Sequence, residues 1–236
     1  MDHEIWVIDD AEGVASTAAD AVARSIRTAV TERGAFHLAV SGGRSPWAMF
    51  AHLAALDLPW ADVSIWQVDE RIAPAGDPDR NAVGLAAAVE GLPVTVHPMP
   101  VEQLLGDGPG GATDDDELIS SVCDAYASTL PERFDLIHLG LGADGHTASL
   151  VPDDAVLDVS DRPVAVTSTA YQGRRRMTLT YPALGRCDQL LWLITGADKR
   201  VALAGVLAGE PQYPASSVEA PRSVIVTDRA AHPQGP

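Results

Sequence analysis

The chain has 236 residues, of which 46% are hydrophobic and 21% charged, and its formal net charge is −17. This length is enough for one large α/β domain with a substantial core. No apolar stretch reaches the roughly 18 residues that a membrane span needs. A surface this acidic repels nucleic acid and anionic membranes. We therefore expect neither as a partner, and any anionic substrate should be held by a local cluster of basic groups.

Cysteine usage and the first residues of the chain favour a cytoplasmic location. Cys123 and Cys187 lie far apart with no CxxC spacing, which argues against a disulfide framework and a structural zinc site. Residues 1–4 are polar and acidic, unlike the basic start of a signal peptide. No HxxxH or HExxH pattern occurs, so we expect no metal site. We also expect no obligate protein partner.

The first part of the chain predicts two strand–helix units. Residues 5–8 are a short apolar run, predicted as an edge strand, and residues 11–33 carry apolar side chains at helical spacing. Residues 36–40 predict a second strand. Ser45 and Pro46 then predict the N-cap and first-turn proline of the next helix. The side chains predicted to face inward from this helix are Trp47, Phe50, Leu53 and Ala54.

The rest of the chain continues the alternation of strands and helices. Further strands are predicted over residues 63–68, 94–96, 134–139, 164–166, 190–195 and 223–227. Further helices are predicted after residue 81, over residues 116–130 and up to about residue 208. The alternation predicts an α/β protein with a parallel sheet covered by helices on both faces, which the last strand closes. No change in composition marks a linker, so we predict a single domain over residues 1–236.

Four chemically distinctive segments each follow a predicted strand. They are Ser41-Gly42-Gly43-Arg44, Asp69-Glu70-Arg71, residues 140–146 and residues 196–199. Ligands bind at the carboxyl ends of strands in open α/β sheets, so we expect these segments to converge on one site. This coincidence indicates an enzyme more strongly than any single segment does.

The segment over residues 140–146 holds three glycines, Asp144 and His146 just past an apolar strand. A histidine in that setting is more often functional than structural, and its imidazole can act as a base near neutral pH. His138 lies inside the apolar strand, so we predict that it belongs to the core or its cover.

The basic groups and the first glycine-rich segment suggest an anion site, although each of them also has a purely structural explanation. Residues 41–43 lead into a helix, and could cradle a phosphate or merely form a turn that needs glycine. Lys199 is the only lysine, and could be a phosphate counter-ion or a solvated surface residue. Of the three arginines over residues 174–176, we expect at most one or two to face a pocket.

Taken together, the chain resembles the 6-phosphogluconolactonase family, which is related to the glucosamine-6-phosphate deaminases and isomerases. The resemblance rests on residues 38–46, 69–71, 140–150, 176–180, 196–199 and 213–216. Two positions depart from the family pattern. Val151 stands where phenylalanine is common, and Arg80 stands where serine is common, so we expect Arg80 to alter the rim of the pocket.

The resemblance implies a three-layer α/β/α sandwich with a mostly parallel central sheet, Rossmann-like and of the deaminase/isomerase type. It implies hydrolysis of the small-molecule lactone 6-phospho-D-glucono-1,5-lactone to 6-phosphogluconate, with no metal and no organic cofactor. The candidate catalytic residues are His146, as the base that activates water, with Asp144, Arg71 and Asp69. Asp144 could orient the imidazole or bind a sugar hydroxyl, and Arg71 could stabilise the oxyanion or bind the phosphate. The candidate substrate- and phosphate-binding residues are Ser41, Gly42, Gly43, Arg44, Arg176 and Lys199.

Two other functions are compatible with parts of the sequence. A glucosamine-6-phosphate deaminase could use Asp69 to abstract a proton, but deaminases continue their glycine-rich segment with Ile-Ala-Phe-Asn-Glu-Pro. Residues 147–152 contain no such glutamate, which favours the lactonase. A non-catalytic sugar-phosphate sensor usually carries a DNA-binding helix-turn-helix, and we see no room for one before Ile5.

Overall fold

The computed structural model describes residues 2–235. Its strands are β1 (Glu4–Ile8), β2 (Phe36–Val40), β3 (Val63–Gln67), β4 (Asp69–Arg71), β5 (Thr95–His97), β6 (Phe134–Leu139), β7 (Val164–Val166), β8 (Arg176–Leu179), β9 (Cys187–Ile194) and β10 (Ser223–Asp228). Its α-helices are α1 (Ala11–Arg33), α2 (Arg44–Ala54), α3 (Asn81–Ala88), α4 (Asp116–Ala127), α5 (Tyr181–Leu184) and α6 (Arg200–Leu207). None of the helices described is long and apolar enough to cross a membrane.

Seven strands form one parallel sheet in the order β1-β10-β9-β6-β2-β3-β5. The prediction of an α/β fold with a mostly parallel sheet is therefore confirmed. The prediction that the last strand closes the sheet is wrong, because β10 lies between β1 and β9. Ile5 and Val7 of β1 are partly exposed whereas β10 is buried throughout, so β1 is the strand suited to the edge.

Alternate side chains of the central strands enter two separate cores. Leu38 and Val40 of β2 pack with α1 and α2 on one face, whereas Ala39 joins the core on the opposite face. The side chains of strand β6 also alternate between the two cores. Leu136 packs in the same core as Leu38, whereas Ile137 packs in the same core as Ala39, together with residues of α4 and α6. Because a buried strand must present apolar groups to both faces, its sequence reads as a continuous apolar run.

A second, smaller sheet lies outside the parallel one. Strands β4, β8 and β7 pair antiparallel in that order. The sequence predicted β7 as a strand but predicted β4 only as a motif and β8 not at all. The register of the small sheet places Arg71 opposite Arg176. The small sheet therefore joins two of the predicted site residues that are far apart in sequence.

Helix α2 begins before the predicted N-cap. Its N-cap is Gly43, whose φ of 131° lets the chain turn into the helix soon after β2. Ser45 therefore lies inside the first turn, and its hydroxyl is 3.3 Å from that of Thr195. Ala54, predicted to face inward, is exposed, and Met49 is buried instead.

Two other boundaries differ from the prediction by three residues. Helix α4 ends at Ala127, where the hydroxyls of Ser128 and Thr129 donate to backbone carbonyls of the last turn. Strand β9 begins at Cys187, three residues earlier than predicted, because it pairs with β6 from Phe134 onward. Helix α1 has the predicted bounds, with Asp10 capping its start.

Candidate active site

The four motif segments converge at the carboxyl edge of the parallel sheet, as predicted. A cleft of about 170 Å³ lies there between the ends of β2, β6 and the small sheet. Most of the predicted site residues line it, namely Ser41, Gly42, Asp69, Arg71, His146, Arg176 and Lys199. Gly43 and Arg44 line an adjoining cleft of about 570 Å³, which shares Gly42 and Lys199 with the first. Asp144 does not line the cleft itself but contacts the imidazole of His146, which does.

His146 and Asp144 form a close pair on the loop after β6. The Nδ1 atom of His146 is 2.6 Å from Oδ1 of Asp144, which also accepts the His146 backbone N–H at 3.2 Å. This pairing places a proton on Nδ1 and leaves Nε2 as the nitrogen that can accept one. Partial burial opposes ionisation of Asp144, but the hydrogen bonds outweigh it and lower the pKa of this carboxyl. The carboxylate is thus kept ionised beside the imidazole.

The loop can place this pair only because of Gly142. The Gly142 N–H donates to the carbonyl of His146 at 2.8 Å, which folds the loop tightly back on itself. A Cβ atom at Gly142 would overlap Nδ1 of His146 and Oδ1 of Asp144. Gly185, at the end of α5 and outside the cleft, differs, since the atom nearest to a Cβ there is the carbonyl oxygen of Glu219 at 3.3 Å.

We expect Gly142→Ala to lower kcat by about tenfold, because the imidazole must move away from its carboxylate partner. Gly185→Ala adds the same methyl group away from the cleft, and should lose much less activity. Steady-state rates of both variants, with circular dichroism to confirm folding, check this. Equal losses in the two variants would contradict the steric explanation.

Two arginines face each other across β4 and β8 at the cleft. Arg71 Nη1 donates to the carbonyl of Asp79 at 2.6 Å and to Oδ1 of Asn81 at 3.0 Å. Arg176 is 4% exposed, and burial lowers its pKa, whereas the charge of Asp69 acts in the opposite direction. The Nε atoms of both arginines are buried without a partner among the described residues. Paired cations with unused donors are suited to binding an anion.

Asp69 is held by two residues that were not predicted as site residues. Its Oδ2 accepts from the hydroxyl of Ser149 at 2.6 Å, and its Oδ1 accepts from Nδ2 of Asn81 at 3.2 Å. Asn81 thus connects Asp69 with Arg71, and a Cβ atom at Gly42 would overlap its side chain. Ser149 lies in the segment that carries His146, and this position is the sequence signal that could have identified it.

The residues predicted to bind phosphate do not all offer free hydrogen-bond donors. The N–H and the hydroxyl of Ser41 both donate to the carbonyl of His138 at 3.3 Å, so this N–H is already used. Lys199 lies 3.0 Å from the carboxylate of Asp198 and lines both clefts. Arg44 is exposed in the adjoining cleft.

Only one of the three consecutive arginines lines the cleft. Arg174 pairs with Asp77 at 3.0 Å, and Arg175 donates to the carbonyl of Thr167 at 2.8 Å. Arg176 is the one that lines the cleft, as expected from its place on β8. The alternation of side chains along an extended chain separates it from its neighbour Arg175.

Arg80 and His138 are buried and do not line the cleft that holds His146. The expectation that Arg80 alters the pocket rim is wrong, because its guanidinium is buried 3.1 Å from Glu70 and 2.8 Å from Glu102. His138 is fully buried, as predicted, and burial lowers its pKa to about 3. Among residues 2–235, no three His, Cys, Asp or Glu side chains are grouped so that they could hold a metal ion.

The fold and the cleft define an α/β protein with a histidine–carboxylate pair facing two arginines and a lysine, a set suited to a small anionic substrate. Residues 9–227 match the family described as glucosamine-6-phosphate isomerases/6-phosphogluconolactonase. The chain belongs to this family, and the predicted resemblance is confirmed.

Individual relatives agree with the family. A 6-phosphogluconolactonase of Mesorhizobium japonicum is 36% identical over 92% of this chain and 91% of its own. The human GDH/6PGL endoplasmic bifunctional protein is 37% identical over 88% of this chain, which spans only 27% of that protein. The crystal structure of a putative 6-phosphogluconolactonase from Neisseria gonorrhoeae has a TM-score of 0.81 and 28% identity, covering 96% of this chain and all of its own.

Proposed function

We propose that the protein hydrolyses 6-phospho-D-glucono-1,5-lactone to 6-phosphogluconate. The observation that carries the proposal is the pair of His146 and Asp144, with Nδ1 and Oδ1 2.6 Å apart, of which His146 lines one cleft with Arg71 and Arg176. Relatives that span most of this chain are named for this activity. A lactone is an ester, so its hydrolysis needs a base for water and a cation for the oxyanion.

In the proposed mechanism, Nε2 of His146 takes a proton from water as the oxygen attacks the lactone carbonyl. Arg71 stabilises the negative charge that develops on the carbonyl oxygen. The ring C–O bond then breaks, and the imidazolium returns its proton to the departing ring oxygen. Asp144 holds the tautomer and stabilises the imidazolium. A positioned base of this kind contributes about 10²–10⁴-fold to the rate, and no step requires a metal or an organic cofactor.

The phosphate group is proposed to bind between Arg176, Lys199 and the start of α2, where the two clefts adjoin. Arg176 and Lys199 provide the charge, the backbone at Gly42 and Gly43 provides the cradle at the start of α2, and Arg44 adds charge from the adjoining cleft. Ser41 supports this loop by its hydrogen bonds to β6. Asp69, fixed by its own partners, offsets the repulsion between the two arginines.

The test is an assay with freshly prepared 6-phospho-D-glucono-1,5-lactone, because this ester also hydrolyses spontaneously. The protein should release acid well above the uncatalysed rate, and glucosamine 6-phosphate should release no ammonia. Ammonia release without lactone hydrolysis would make the protein a deaminase and would overturn the proposal.

A further inference from the structure

Tyr171 lies at the tip of the hairpin between β7 and β8, beside the cleft. Its backbone N–H donates to the carbonyl of Arg174 at 2.9 Å, which closes a two-residue turn. The turn residues Gln172 and Gly173 have φ values of 52° and 84°. Positive φ at both central positions is the pattern of the tight turns that fit twisted hairpins. The hairpin therefore holds Tyr171 in a defined place.

The hydroxyl of Tyr171 contacts the histidine–carboxylate pair directly. It donates to Oδ2 of Asp144 at 2.9 Å and lies 3.3 Å from Nδ1 of His146. Its ring meets the imidazole edge-on, with centroids 5.2 Å apart. The two oxygens of Asp144 are thus divided, one bonded to His146 and the other to Tyr171. A carboxylate held at both oxygens cannot rotate away from the imidazole without breaking one of these bonds.

The other side of Tyr171 rests on Arg176. The guanidinium carbon lies 4.9 Å from the centre of the phenol ring, a cation–π contact. Nη2 of Arg176 also reaches the carbonyl of Tyr171 at 3.4 Å and Oε1 of Gln172 at 3.2 Å. Arg176 thereby fixes both the ring and the backbone of the hairpin tip.

We propose that Tyr171 is a positioning residue, which holds Asp144 so that Nε2 of His146 faces the substrate. The role rests on the proposed lactonase function, but it adds a residue from a different part of the chain. Partial burial and the neighbouring carboxylate raise the pKa of Tyr171, so the phenol stays a donor at neutral pH. The other charged groups around the imidazole are Asp69, Arg71, Arg176 and Lys199.

The kinetic test compares Tyr171→Phe with Tyr181→Phe. Tyr181 also donates a hydroxyl hydrogen bond, to the carbonyl of Pro214 at 2.9 Å, but lies outside the cleft. In Tyr171→Phe, kcat should fall about tenfold with KM within about twofold, because orientation of the base is lost and substrate contacts remain. Tyr181→Phe should match the parent. A change in KM alone would make Tyr171 a substrate contact and overturn the positioning role.

A second readout needs no substrate. The carboxyl carbon of Asp144 can be followed by ¹³C NMR against pH and assigned by its loss in Asp144→Asn. Since the phenol hydrogen bond lowers the pKa of Asp144, its titration should move to higher pH in Tyr171→Phe and stay unchanged in Tyr181→Phe. An unmoved titration overturns the proposal, even if the parent protein proves not to be a lactonase. Absence of lactonase activity in the parent would contradict the proposed function alone.

Discussion

Replacing His146 by alanine is expected to lower kcat about a thousandfold while KM changes by less than about threefold. In the proposed mechanism the imidazole takes a proton from water at Nε2, and Nδ1 is held by Asp144 at 2.6 Å. Proton transfer occurs only in the transition state, so its loss falls on kcat. Initial rates with fresh lactone, corrected for spontaneous hydrolysis, give both constants.

His52→Ala is the matched control for this experiment. His52 lies on α2, where Nε2 is 2.9 Å from a carboxylate oxygen of Glu12, and it lies outside the cleft. This variant should keep the kinetic constants of the parent. A near-normal kcat in His146→Ala would remove the imidazole from the mechanism. A loss confined to KM would assign His146 to substrate binding instead.

The sequence was sufficient for the elements whose signal is local. Apolar residues recur at helical spacing in α1 because one face of that helix is buried. Residues of β6 form a continuous apolar run because both faces of that strand are buried. The position of His146 just past β6 followed from that run, because the carboxyl ends of parallel strands share one edge. The convergence of these segments on the candidate site could therefore be predicted from the amino-acid sequence alone.

The individual side-chain contacts between distant segments could not be predicted in this way. Strands β4 and β8 have three and four residues, too few to show an alternating pattern. Their pairing alone places Arg71 opposite Arg176. Ser149 reaches Asp69 across 80 positions of sequence. Tyr171 reaches Asp144 only because a hairpin turns back over the cleft. Such contacts depend on tertiary packing, and they produce no periodic pattern in the sequence from which they could be predicted.

Arg176→Met is expected to raise KM for the phosphorylated lactone by about 10- to 100-fold, the loss of one or two charge-assisted hydrogen bonds. Methionine has a similar reach and suits the buried site, so the fold should persist. Arg176 is 4% exposed at the cleft, and its Nε has no partner within residues 2–235, so an anion would satisfy this donor. Because Arg176 also supports Tyr171, a smaller decrease in kcat should accompany the change.

The unphosphorylated lactone, D-glucono-1,5-lactone, separates phosphate binding from damage to the cleft. For this poor substrate, Arg176→Met should change kcat/KM much less than it does for the phosphorylated one. Arg174→Met is the matched control, since Arg174 pairs with Asp77 outside the cleft and should alter neither substrate. Equal losses of kcat/KM for both lactones would show that Arg176 acts through the reacting end of the cleft and would contradict a role in binding phosphate.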